Sequence, residues 1–411
     1  MSLSYPHAAE HCALLAHPIC SLVDSPTTES FGVDKPTSGN VPDTHEAATA
    51  PSGYPRELPW ELMTASASRR RTPTLDQVAR YAGVSRATVS RVVNGSTSVD
   101  PALRKIVDEA VADLNYVPNL AARALMTRRT DTIALVAAEG DRRVFGDPFF
   151  AQIVRGVSLE LGSAGARLSL TMTQTDADAE PLAKYFASGH ADGVLLISEH
   201  GRHRLAEQFA TAGTPVVIGG RPLDPALRVT YVDNDNVQRP REAAKYLRSL
   251  GRTRIGTIAG PQDMSAGVDR LDGFRKGLGK GFRKSRVEFG DFTMASGEVA
   301  ASRLLDRNPD VDAVFVASDL MALGAMGVFK KAGRRIPDDI AVVGFDDIEL
   351  AKFADPALTT MRQHTVDQGR LMARLMLQSL GRVDETEQTR LNSPDGRGII
   401  LGVELIERDS A

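Results

Sequence analysis

Between Thr74 and Leu114 the apolar residues recur at helical spacing in three short runs. Thr74 and Gln77 form a capping-box pair, so a first helix opens at Leu75 and runs to Tyr81, with Leu75, Val78 and Ala82 on one face. Gly83 supplies a turn. Ser85 caps a second helix, whose Val89, Val92 and Val93 fall at i, i+3 and i+4 and predict a buried stripe ending at Gly95. A third helix starts with Asp100 as cap and Pro101 at its first position, and carries Leu103, Ile106, Val107, Ala110, Val111 and Leu114 as its apolar stripe. Three such helices make a small bundle.

Past Thr130 the pattern changes to apolar runs separated by helical segments. TIALVA (132–137), RLSLTM (167–172), DGVLLI (192–197) and PVVIG (215–219) come first, then RIGTIA (254–259), AVFVAS (313–318) and IAVVGF (340–345). Alternating strand and helix predict parallel sheets with helices on both faces, here as two doubly wound lobes. Ligands in such folds sit at the carboxyl ends of strands, so a cleft between the lobes is the expected site. Residues 1 to about 68, rich in Pro, Ser, Thr, Ala and His, show no sustained period and read as disordered. An alternative start at Met63 would remove most of this segment.

Composition adds one asymmetry. Hydrophobic residues make up 42% of the 411 and charged residues 25%, ordinary for a soluble globular chain. The net charge of −3 conceals eleven basic against five acidic residues between Thr64 and Thr130, and two basic against eight acidic from Met1 to Met63. A basic module between acidic regions suits a nucleic-acid partner. Cys12 and Cys20 are the only cysteines, which fits a cytosolic setting without a disulfide framework. No apolar run is long enough to span a bilayer, and no secretory signal is expected.

The polar side of the second helix is short-chained apart from two arginines: Arg86, Ala87, Ser90, Arg91 and Asn94. A flat partner could approach it closely; arginine can pair with guanine in the major groove, and Ser, Thr and Asn suit phosphates. Two helices around a Gly-containing turn, with this face on the second, describe a helix-turn-helix; a solvated hairpin is the plain alternative. Downstream, YVPNLAARALMTRR (116–129) opens a short helix at Pro118 and Asn119, below the ~12–15 residues at which isolated helices become marginal. Leu125 beside Arg123 suits a minor-groove wedge, the alternative being a linker helix packed on the next domain.

These residues resemble the lactose/galactose repressor family of bacterial transcription regulators. TLDQVARYAGVSRATVSRVVNG and YVPNLAARAL carry the resemblance, which continues through AGP (259–261), RLDGF (270–274), GDF (290–292), ASDLMALGAM (317–326), VVGFDD (342–347) and PALTTMRQ (356–363). The resemblance implies an all-α helix-turn-helix headpiece (72–117), a hinge helix (118–130) and an α/β two-lobed periplasmic-binding-protein-like effector and dimerisation domain (131–411), after a disordered extension (1–70). It further implies that Arg86, Ala87 and Arg91 read bases, that Thr74, Leu75, Ser85, Thr88, Ser90, Asn94 and Asn119 contact the operator around them, and that Ala122, Arg123 and Leu125 enter the minor groove. The expected partners are a pseudo-palindromic operator, a second copy of the chain and a small-molecule effector, a sugar or sugar derivative. Phe149, Phe150, Arg270, Phe292, Ser318, Asp319, Asp346 and Gln363 match the effector-contacting positions. Arginine and carboxylate can bind neighbouring hydroxyls by charge-assisted bonds while aromatic rings cover a sugar's apolar face.

Three departures stand out. Ser318 replaces an Asn common in relatives, Gln238-Arg239-Pro240 replaces small residues, and the chain stops at Ala411 without a leucine-heptad tail, which favours a dimer. Competing classes fare worse. A secreted sugar carrier would share the lobes but not the headpiece. An enzyme would need a catalytic constellation, and no Ser-His-Asp ordering, P-loop, metal-ligand cluster or G-x-G-x-x-G turn is present. His190 and His364 are expected to be structural. No catalytic residue, metal or cofactor is therefore expected, and the setting is the cytoplasm, at the nucleoid.

Overall fold

The computed structural model describes residues 73–96, 98–118, 129–201, 204–383 and 389–411. The extension at 1–70 and the hinge positions Asn119, Ala122, Arg123 and Leu125 lie outside the described residues.

The headpiece contains α1 (Leu75–Ala82), α2 (Arg86–Val93) and α3 (Pro101–Asp113). Thr74 and Gln77 make the reciprocal capping box, Gly83 turns with φ 66°, and the Ser85 hydroxyl accepts from the Thr88 amide. Asp100 caps α3 through the amides of Ala102 and Leu103. Val78, Ala79, Val89, Val92, Val107, Ala110 and Tyr116 form the core. The expected stripe on α3 is only partly enclosed, because Leu103 and Ile106 remain exposed. Two short helices bury only one narrow face of the third, and that face is Val107, Ala110 and their neighbours.

Each lobe is built on a six-stranded sheet. The first holds β1 (Thr132–Ala137), β2 (Arg167–Met172), β3 (Gly193–Ile197), β4 (Val216–Gly219), β5 (Thr230–Asn234) and β11 (Gly398–Leu401), in the order β11-β5-β4-β3-β1-β2. The second holds β6 (Ile255–Ala259), β7 (Val287–Phe289), β8 (Ala313–Val316), β9 (Ala341–Asp346), β10 (Thr359–Gln363) and β12 (Val403–Ile406), in the order β12-β10-β9-β8-β6-β7. Pairing is parallel except for β12 against β10. The central strands read as unbroken apolar runs because helices cover both faces; β3 and β8 are buried throughout. All seven expected strands are present, while β5, β7, β10, β11 and β12 are additional. β5 (TYVDN) and β10 (TTMRQ) lack an apolar run because their ends supply polar groups to the cleft.

The chain passes between the lobes three times: after β5, after β10, and between β11 and β12. The helix Thr365–Ser379, reached from the second lobe, returns to pack on Pro148–Ser163 in the first. Its approach is set by glycines. A Cβ on Gly156 would collide with the Val366 carbonyl oxygen, and one on Gly369 would crowd the Ile153 carbonyl. The second lobe repeats the device where Gly297 and Gly324 bring Met294–Arg307 against Asp319–Lys331. Backbone atoms cannot yield as a flexible side chain can. Gly156→Ala and Gly324→Ala should each destabilise by about 1–3 kcal/mol, read as a lower urea midpoint; an unchanged midpoint would mean the helices can slide apart freely.

Candidate functional site

Two sites emerge, one on the headpiece and one between the lobes. On the headpiece, Arg86, Ala87, Arg91 and Asn94 are exposed on α2 opposite the valines, with Thr88 and Ser90 half-buried beside them. Arg86 Nε lies 3.6 Å from Asp76 Oδ1, an exposed pair worth little in water and easily exchanged for another acceptor. The hydroxyls of Thr74 and Ser85 serve as helix caps, so those two residues present α1 and α2 amino-terminally. Asn94 Nδ2 donates to Ser90 Oγ at 3.3 Å, joining two of the polar positions. Leu75 is half-buried against the bundle.

The interlobe cleft is a cavity of about 410 Å³. Of the expected residues, Phe149, Arg270, Phe292, Ser318, Asp346 and Gln363 line it. Phe150 and Asp319 do not. Phe150 turns into the first lobe's core, edge-on to Phe149 at 5.3 Å between ring centres, since adjacent helical residues point to different faces. Asp319 lies beneath the wall, where its carboxylate accepts from the Ile348 amide (3.0 Å) and the Thr360 hydroxyl (2.5 Å). Burial pushes its carboxyl up to about 6.

At the base, Arg270 comes from the helix Ser265–Leu278 and is nearly inaccessible. Its Nε donates to Asn236 Oδ1 (2.8 Å), Nη1 to the Ala317 carbonyl (2.6 Å) and Nη2 to Gln363 Oε1 (3.4 Å). The guanidinium lies 3.8 Å from the centre of the Phe345 ring and 3.5 Å from Asp346. Gln363 Nε2 donates to Asp346, while Asn236 Nδ2 donates to Asp233 Oδ1 at 2.8 Å. The result is a chain of polar groups, Asp233–Asn236–Arg270–Asp346–Gln363, linking the first two crossovers. Asn234 Nδ2 extends it to Gln368 Oε1 at 3.0 Å. Burial raises Asp346 well above the usual carboxylate range, with Arg270 opposing the shift and the Asp319 charge adding to it. Burial also pushes Asp233 up to about 6 and draws Arg270 below its ordinary value.

Backbone conformation is unusual at the same place. Seven described non-glycine residues have positive φ, and Ser198, Arg204, Phe292 and Asp346 of these line the cleft. Such conformations cost roughly 1–3 kcal/mol each and concentrate at functional sites, where they aim side chains. Arg143, Asp147, Arg221, Asp233, Asn234 and Asn236 also line the cavity, and none of them was expected from sequence. The signal was YVDNDN (231–236): polar residues gathered at the carboxyl end of β5, where these folds bind ligands.

The departures also have structural readings. Ser318 Oγ accepts from the Met321 amide at 3.3 Å and so caps its own helix. Pro240 stands in the first turn of Gln238–Ser249, where an amide would be unpaired in any case, and Asp235 accepts from the Gln238 amide at 2.9 Å. His190 stacks on Tyr185 at 3.8 Å, and His364 precedes the helix Thr365–Ser379. Among the described residues no group of three or more His, Cys, Asp or Glu could hold a metal ion, and no helix is long and apolar enough to cross a membrane.

A helix with an exposed basic and polar face, on the same chain as a two-lobed cleft of convergent polar groups, defines a ligand-responsive DNA-binding regulator. Residues 74–119 match the model of bacterial regulatory proteins of the lacI family, and residues 244–410 that of the periplasmic binding protein-like domain. The HTH-type transcriptional regulator CelR of Thermobifida fusca is 50% identical over 346 residues, 83% of this chain and 99% of that protein. A solved CelR–cellobiose complex superposes with a TM-score of 0.64 at 45% identity, covering 82% of this chain and all (100%) of that one. The lac repressor dimer bound to operator and the anti-inducer ONPF gives a TM-score of 0.71 at 26% identity, covering 83% and 99%. The chain belongs to the lacI family and is a helix-turn-helix transcriptional regulator.

Proposed function

We propose that the chain is a repressor whose operator affinity is changed by a neutral β-linked glucose disaccharide, of which cellobiose is the first candidate, bound between the lobes. Residues 72–117 read DNA, 118–130 form the hinge and 131–411 bind effector and dimerise, with 1–70 outside both tasks. Arg86, Ala87 and Arg91 read bases; Thr74, Leu75, Ser85, Thr88, Ser90, Asn94 and Asn119 position the backbone; Ala122, Arg123 and Leu125 engage the minor groove. Arg270, Asp346 and Gln363 hold ligand hydroxyls, and Phe149 and Phe292 cover a ring face. Phe150 and Asp319 support these from behind.

The observation that carries the reading is the cleft's mixture of already neutralised charges. Of the five arginines that line the cleft, Arg143, Arg204, Arg221 and Arg270 each sit beside a carboxylate, of Glu139, Glu207, Asp269 and Asp346 respectively, and the fifth, Arg228, is exposed at its rim. A phosphorylated sugar would have to displace these partners, whereas a polyol can hydrogen-bond to both members of a pair. The cellobiose of the CelR complex supplies the particular sugar. A second copy suits the outer edges, where Leu170 and Met172 on β2, Phe289 on β7, and Leu159, Met294 and Val299 on the flanking helices are exposed. The setting is the cytoplasm, at the nucleoid, and the bound sugar is released unchanged rather than turned over.

Thermal melts and operator titrations with cellobiose, glucose 6-phosphate and no addition test this. At a hundred times its dissociation constant cellobiose should add ~2.7 kcal/mol of stability and shift operator affinity, while glucose 6-phosphate does neither. Stabilisation by the phosphate alone would overturn the neutral-ligand reading, and cleavage of cellobiose would make the protein an enzyme.

A further inference from the structure

We propose that His200 is a proton-dependent latch between the lobes, its imidazolium tying the end of β1 and the loop after β3 to the loop after β6, so that closing the cleft takes up a proton. Glu139 and His200 belong to the first lobe and Asp263 to the second. His200 Nδ1 lies 2.9 Å from Asp263 Oδ2, and Nε2 lies 3.3 Å from Glu139 Oε1. An ionised carboxylate only accepts, so both bonds require a hydrogen on each ring nitrogen, which only the imidazolium has. Either neutral tautomer forfeits one of them. Beside the ring, the Gly201 amide donates to the Asp263 carbonyl at 2.7 Å, so backbone and side chain close together.

The surrounding charges set the sign. Arg143 approaches Glu139 at 3.3 Å and Ser198 donates to it at 3.1 Å, so His200 shares the Glu139 carboxylate with two other donors. Glu199 is turned aside, accepting from the Ala206 amide at 2.9 Å. The hydrogen bond to Glu139 raises His200 above its ordinary value of 6.5, Asp263 adds to this, and partial burial opposes it. Opening the cleft withdraws Asp263 and lowers the value. The latch therefore contributes fully below the open-state value and is lost as pH rises through the closed-state value. Arg221, paired in-plane with Asp269 across the same cleft (2.6 Å for both bonds), does not titrate here and sets a pH-independent background.

Two measurements test the latch on the full chain. In an imidazole NMR titration without ligand, where open and closed clefts exchange, His200 should titrate at a population-weighted value that is higher in the wild type than in Asp263→Asn. Calorimetry with cellobiose, in buffers of different ionisation enthalpy, should show proton uptake and an affinity falling by up to about tenfold per pH unit between the two values. His200→Gln should bind cellobiose with neither effect. An unshifted His200 in Asp263→Asn, or a wild-type pH profile in His200→Gln, overturns the latch. The calorimetric arm rests on the proposed effector. If cellobiose fails to bind the wild type at every pH, that reading falls while the NMR comparison still decides the latch.

Discussion

Arg270→Ala is expected to lose cellobiose binding by a hundredfold or more while the ligand-free protein still finds its operator. The guanidinium is the centre of the cleft network, with bonds to Asn236, the Ala317 carbonyl and Gln363, and its removal leaves the Asp346 carboxylate buried without its cation. Breaking a buried charge pair from one side typically costs about 3–5 kcal/mol, and a lost charge-assisted bond to the ligand adds about 1.5–3 kcal/mol to the unfavourable side of binding. Part of the first figure falls on stability, so the melting temperature of the effector domain should drop as well. Arg270→Lys keeps the charge but not the planar fork, and should lie between. The headpiece core shares no residue with the cleft, so operator affinity without ligand should hardly change. A ligand shifts a regulator only by its differential affinity for two arrangements, and a variant that cannot bind cannot respond. Calorimetry paired with gel shifts checks both halves. Wild-type cellobiose affinity would remove Arg270 from the site, and loss of operator binding without ligand would show that it holds the fold instead.

The Arg86→Ala/Arg91→Ala double variant should discriminate poorly between operator and scrambled DNA. Each bidentate base contact is worth about 1–3 kcal/mol of discrimination, so removing two should erase most of the specificity ratio. Both side chains are exposed, and among the described residues Arg86 pairs with the exposed Asp76, so the fold should survive. Ser90→Ala should instead weaken both DNAs about equally, with some further loss because Asn94 leans on its hydroxyl. Titrations at two salt concentrations separate the terms, since a lost phosphate contact reduces the salt slope. An unchanged specificity ratio in the double variant would assign base reading elsewhere on the chain.

Much of this was legible from short-range pattern. Capping pairs such as Thr74–Gln77 and Ser85–Thr88, the positive-φ glycine at 83 and the valine spacing of α2 are local devices, and a local device is visible in sequence. Most of the seven expected strands were legible for the same reason, since burial on both faces leaves few polar positions, whereas the exposed edge strand β2 shows in the alternation of Leu168, Leu170 and Met172 with Arg167, Ser169 and Thr171. The strands that escaped detection end at the cleft or the sheet edges, where function or solvent dilutes the apolar pattern. The α3 stripe misled because six apolar residues at helical spacing do not reveal how much partner surface exists to cover them.

The sequence by itself determined the headpiece, its exposed basic face, the two alternating lobes and, through recognisable motifs, Arg270, Phe292, Asp346 and Gln363 as cleft residues. Only the tertiary structure decided that Phe150 turns into the core while Phe149 faces the ligand space, and that Asp319 braces the wall rather than lining it. It alone brought Glu139, His200 and Asp263 together. The physical reason is range: caps, turns and periodicity act within a few residues, whereas the cleft's electrostatics arise from groups that meet only after three crossovers stack one lobe against the other.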